Sequence, residues 1–127
     1  MENLIFEGSK TKPFINFNSE TGNLLIGGES YPENAIEFYK EIQEWLVSYL
    51  SQNKEKQIVF NFKMVYFNTS SSKAILDILD ILEKHHVKGG KINVLWQYEQ
   101  DDEDIQESGE EFADGLTIPY EIVSYED

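Results

Sequence analysis

Ile58-Val59-Phe60-Asn61-Phe62-Lys63-Met64-Val65 runs directly into Tyr66-Phe67-Asn68-Thr69-Ser70-Ser71-Ser72-Lys73. The first half is rich in β-branched and aromatic residues. Ile58, Phe60, Phe62 and Met64 alternate onto one face, the period of a strand packed on a core. Beyond the junction, Ala74, Ile75, Ile78, Leu79, Ile81 and Leu82 recur at steps of three and four, which makes one apolar stripe on a helix. The junction itself is small and polar. Asn68 or Thr69 can cap the helix by accepting hydrogen bonds from its unpaired first-turn N–H groups. The run Asn68 to Ser72 is longer than capping requires, and a phosphate placed there would meet free N–H groups and the positive end of the helix dipole. A plain cap and a phosphorylation site both stand on these residues.

Upstream of this stretch, Leu4-Ile5-Phe6 reads as a first strand and Phe14-Ile15-Asn16-Phe17 as a second. Asn18 to Asn23 has turn chemistry with Gly22 available for a positive φ, so residues 14 to 28, ending in Leu24-Leu25-Ile26-Gly27-Gly28, form a hairpin. Gly27 and Gly28 are read as the end of that third strand, without the spacing or the lysine of a P-loop. Ser30 with Glu33 is a capping box, and Pro32 suits a first helical turn. Ala35, Phe38, Tyr39, Ile42, Trp45, Leu46, Tyr49 and Leu50 then give the clearest helical stripe in the chain.

Downstream, the second helix ends near Val87-Lys88-Gly89-Gly90. Ile92, Val94, Trp96 and Tyr98 alternate in the next strand, and Asp101 to Asp104 open a third helix carrying Ile105, Phe112 and Leu116. Ile118 to Val123 is the last strand, and Glu126-Asp127 are expected to fray. The order is three strands, helix, strand, helix, strand, helix, strand. Strand–helix–strand crossovers imply parallel pairing and the early hairpin is antiparallel, so the expected fold is α/β: one mixed sheet with helices packed mainly on one face.

The 127 residues suit one domain with a real core, and 40% hydrophobic and 13% aromatic content is a globular composition. No cysteine is present, which excludes disulfides and thiolate metal sites and makes a reducing cytoplasm the simplest home. No leader pattern and no apolar run of membrane-spanning length is visible. Twenty-four acidic against ten basic residues leave a net charge of −14, which disfavours nucleic acid and anionic membrane as partners and favours a basic protein face.

Other candidate chemistry is thin. Asp101 to Asp104 are consecutive and lack the alternation and turn glycine of a calcium loop; acids in a first helical turn complement the dipole. His85 and His86 point about 100° apart on a helix and cannot chelate as a pair; they read as helix-end cations. No serine stands in a nucleophile-elbow context. No catalytic residue, cofactor or metal is assigned.

Three longer motifs complete the reading: Gly28-Glu29-Ser30-Tyr31-Pro32-Glu33-Asn34-Ala35 leading into Phe38-Tyr39 and Trp45-Leu46; Tyr66 to Lys73; and Trp96-Gln97-Tyr98 with the acidic stretch and Glu107-Ser108-Gly109-Glu110. Over nearly the whole chain they resemble the SiaC-type bacterial regulatory phosphoproteins, a family similar in architecture to the STAS domains of anti-sigma-factor antagonists. The resemblance implies a single STAS-like domain that acts by partner switching rather than as an enzyme. A cognate serine/threonine kinase would phosphorylate it, a PP2C-type phosphatase would restore it, and the unphosphorylated form would bind and activate a diguanylate cyclase or other output protein, setting cyclic-di-GMP signalling. By the same resemblance Thr69 is the phosphoacceptor. A partner sensing its phosphate would cover Phe67, Asn68, Ser70, Ser71 and the outer face of the second helix at Asp77 and Asp80. The wider STAS pattern has Asp-Ser-Ser-Gly at this turn; here Asn68 replaces the aspartate, Thr69 the serine and Ser71 the glycine. A second class of function, a small-ligand carrier or enzyme, would use a pocket near Thr69, Ser30 and Trp96.

Overall fold

The computed structural model describes residues 1–126; Asp127 lies outside them. Among the described residues, six strands and three helices follow the expected order: β1 (Leu4–Phe6), β2 (Phe14–Phe17), β3 (Asn23–Ser30), α1 (Ala35–Gln52), β4 (Ile58–Phe67), α2 (Thr69–Val87), β5 (Ile92–Glu99), α3 (Glu103–Ala113) and β6 (Tyr120–Tyr125). They form one mixed sheet whose spatial order equals the chain order. The β1–β2 and β2–β3 pairs are antiparallel. The pairs from β3 to β6 are parallel.

Three successive crossovers each move the chain one strand in the same direction. Right-handed connection then puts every crossover helix on the same side of the sheet. Burial follows that geometry. Leu24, Ile26, Phe60, Phe62, Val94 and Trp96 are wholly buried beneath Ile42, Leu46, Ile78 and Leu82 of the helices. The alternate positions Val59, Lys63, Asn93 and Leu95 are only half-buried on the open face. Each fully buried apolar side chain of this kind contributes about 1.5–3 kcal/mol.

Several local expectations shift. Ser30 does not cap α1: it ends β3, and the helix begins at Ala35 with Asn34 as its cap, the Asn34 side chain accepting from the Glu37 N–H. The cause is Pro32, which holds the residue before it extended and delays the helix. Gly27 and Gly28 lie inside β3 rather than ending it. The Phe14 ring covers Gly27, where a Cβ would sit 2.6 Å from the ring, and Gly28 (φ +90°) flanks the register shift against β4. Leu116 falls beyond α3, which stops at Ala113. β6 starts at Tyr120 rather than Ile118, because the Ile118 N–H is taken by Glu83 (2.9 Å) and Pro119 has no N–H to give a ladder. His85 lies in the last turn of α2 as expected, but on its inner side. It is nine-tenths buried, and burial first, then the charges of Lys54 and Lys88, push its pKa down.

Candidate phosphoacceptor turn and partner surface

β4 continues through Tyr66 and Phe67, and α2 starts at Thr69, so the junction contracts to the single residue Asn68. Asn68 is the cap. Its extended backbone (φ −87°, ψ −179°) turns its side chain to accept from the Ser71 N–H at 3.0 Å, while its carbonyl accepts from Ser72 N–H at 2.8 Å. Its own N–H donates to the Ser30 carbonyl at 3.1 Å, which ties the turn to the neighbouring strand. Thr69 and Ser70 are exposed at the first two helical positions. Their N–H groups are among those a helix start leaves without an intrahelical partner.

Ser71 points the other way. It is fully buried, and its Oγ lies 2.8 Å from the Ser30 Oγ, which in turn lies 2.6 Å from the Tyr39 hydroxyl. The three hydroxyls join the end of β3, the body of α1 and the first turn of α2. Burial raises the Tyr39 pKa, against the lowering effect of hydrogen bonds from Ser30 and Ser71, so the phenol stays protonated and can donate. A glycine in place of Ser71 would break this chain. Sequence reading missed the network because its members are 9 and 41 residues apart; the only signal was a serine run longer than a cap needs.

On the other flank, Phe67 is half-buried against Trp96 (6.2 Å between ring centroids) and Phe112 (5.8 Å). Trp96 is wholly buried, donates from Nε1 to the Ile105 carbonyl at 2.9 Å and packs against Gly109, where a Cβ would come within 2.3 Å of its ring. That contact explains a glycine in the middle of α3. Asp77 and Asp80 are exposed on α2, ion-paired to Lys73 (3.7 Å) and Lys84 (3.0 Å).

Of the seven residues assigned to the site, Thr69, Ser70, Asp77 and Asp80 therefore lie on the surface, and Phe67 and Asn68 are half-buried beside it. Ser71 is corrected to an internal support that offers no hydroxyl to a partner. The ligand pocket drawn from Thr69, Ser30 and Trp96 does not assemble, because Ser30 and Trp96 are both fully buried and engaged within the core. Beside the turn lies a groove of about 170 Å³ between α1 and α2, lined in part by Ile36, Ser70 and Asp77.

The profile of the SiaC family regulatory phosphoproteins matches residues 6–125. An uncharacterised protein of Pseudomonas aeruginosa strain UCBPP-PA14 is 32% identical over 127 residues, covering all of both chains. Among solved structures, apo-SiaC from Pseudomonas aeruginosa superposes with a TM-score of 0.87 at 31% identity, covering 97% of this chain and 99% of that one. SiaC from the same organism in complex with the diguanylate cyclase SiaD, of which it is the activator, superposes with a TM-score of 0.91 at 32% identity, covering 96% and 99%.

Proposed function

This chain belongs to the SiaC family of regulatory phosphoproteins, and from that premise we propose that it is a partner-switching protein controlled at Thr69. In this reading the unmodified form binds and activates a diguanylate cyclase in the cytoplasm. A serine/threonine kinase releases the cyclase by phosphorylating Thr69, and a PP2C-type phosphatase reverses the step. The chain itself carries no reaction.

The observation that supports the reading is the division of labour at the turn. Asn68 and Ser71 face inward and hold the helix start, while Thr69 and Ser70 face solvent on a rigid frame. The Thr69 hydroxyl can thus be modified without withdrawing a structural hydrogen bond. The chain contains no arginine, and the nearest following cation, Lys73, already pairs with Asp77. No intramolecular fork waits to capture the phosphate. The modification is therefore felt by whatever covers the turn: a dianion enclosed in an interface shaped for a hydroxyl is dehydrated without a counter-charge, which costs several kcal/mol and orders of magnitude in affinity.

Calorimetry against a SiaD-type diguanylate cyclase tests this, using unmodified chain and chain carrying phosphothreonine at position 69. Unmodified protein and Thr69→Ala should bind and raise cyclic-di-GMP synthesis; the phosphorylated form should do neither, with unchanged circular dichroism. Asp77→Lys and Asp80→Lys should weaken binding in a folded domain. Equal affinity of the modified and unmodified forms would sink the assignment of Thr69.

A further inference from the structure

The ends of α1 and α2 remote from Thr69 enclose a cleft of about 410 Å³, within the ~300–1,000 Å³ range of small-molecule sites. Val47, Leu50 and Ile81 make its walls apolar, and Lys54, Lys84 and Lys88 stand around it. On a molecule of net charge −14 with ten lysines in all, this is a local concentration of positive charge. Lys84 is shared with Asp80. Among the described residues, neither Lys54 nor Lys88 has a carboxylate within ion-pair distance.

Capping does not use these ammonium groups. Five of the last-turn carbonyls have other partners: Leu50 and Tyr49 accept from Asn53, Lys84 from the Lys88 N–H, His85 from Gly90 and His86 from Gly89. His85, which also lines the cleft, is nine-tenths buried, and its Nε2 has no hydrogen-bond partner among the described residues. Burial is the first cause that lowers the pKa of that imidazole, and the charges of Lys54 and Lys88 act in the same direction. Two ammonium groups without a carboxylate partner, beside an apolar floor, have a chemical complement.

We propose that this cleft binds an anion carrying an apolar body, such as an aromatic or aliphatic sulfonate, carboxylate or phosphate ester. The lysine side chains meet the acid group and Val47, Leu50 and Ile81 meet the body. Sixteen residues of α2 at ~1.5 Å each put the site some ~24 Å from Thr69, so it is separate from the phosphoacceptor turn and does not depend on its role.

The test uses the full chain and 8-anilinonaphthalene-1-sulfonate as the probe, followed by fluorescence and by amide NMR shifts. Saturable binding should shift residues of the α1 end and of 81–90, and should weaken with added salt. Lys54→Gln with Lys88→Gln should weaken it by about tenfold or more. Val47→Glu, at a position that is 52% exposed and tolerant of substitution, should weaken it as well. Thr69→Ala should leave it unchanged. The uncharged analogue N-phenyl-1-naphthylamine and inorganic phosphate should each bind more weakly than the probe. Absence of saturable binding, shifts elsewhere, or equal affinity in the lysine and Val47 variants would overturn the proposal. So would a neutral analogue or bare phosphate that binds as well as the probe, since either would remove one half of the recognition.

Discussion

Asn68 and Thr69 are adjacent, both polar and both eligible as caps, yet their side chains do opposite work. The Asn68 amide oxygen accepts from a first-turn N–H, and the Thr69 hydroxyl faces solvent. Stability should separate them. Asn68→Ala should cost about 0.5–2 kcal/mol, the usual loss for a cap, while Thr69→Ala should stay within about 0.5 kcal/mol of wild type. Urea unfolding of the two variants measures the difference, and a Thr69→Ala loss as large as that of Asn68→Ala would make the threonine structural first. The separation is what a reversible switch needs: the residue that changes chemistry is not the one that holds the helix.

Between elements, Glu83 of α2 clamps the segment that leads into β6. One carboxylate oxygen accepts from the N–H groups of Thr117 and Ile118, both at 2.9 Å, and the other from the Thr117 hydroxyl at 2.6 Å. The Thr117 hydroxyl is the main cause of a Glu83 pKa below the ordinary glutamate value; burial opposes it, and the two backbone donors and His86 assist. A depressed folded-state pKa means that the clamp contributes fully above the unfolded-state value and is lost as pH falls through the folded one. Glu83→Gln should therefore cost about 0.5–1.5 kcal/mol at pH 7, given its partial exposure. The gap from wild type should close in denaturant melts below the ordinary carboxylate range. A gap that persists or widens in acid would mean the charge on Glu83 is irrelevant. The clamp also sets where β6 begins, so it governs an edge of the sheet from a helix on the layer above.

At the scale of the whole molecule, charge is the dominant unbalanced term. Against 24 acidic residues the chain has ten basic ones, and the three ion pairs among the described residues are all exposed. Exposed pairs of this kind add little, so self-repulsion is largely uncompensated. Raising salt from ~10 mM to ~150 mM shortens the screening length from about 30 Å to about 8 Å, and the melting temperature should rise by several degrees; calorimetry that finds it flat or falling would show that repulsion does not limit stability. The same arithmetic bears on switching. A phosphate adds about −1.5 to −2 charges to the existing −14, a small change in the overall field, so its effect belongs to the surface that covers Thr69.

What the sequence by itself determined was whatever depends on near neighbours. The alternation Ile58, Phe60, Phe62, Met64, the stripes of α1 and α2, and three crossovers of one hand suffice for a mixed sheet with its helices on one face, and the motif Asn68 to Ser71 marks the turn. Tertiary structure decided which of those polar residues face inward. Ser30 reads locally as a helix cap and Ser71 as a surface hydroxyl, but both are buried with Tyr39 because β3, α1 and α2 converge on one point. The register of β6 depends likewise on Glu83, 35 residues before Ile118. A hydroxyl or carboxylate takes the partner that is nearest in space once water is excluded. Its spacing along the chain does not name that partner.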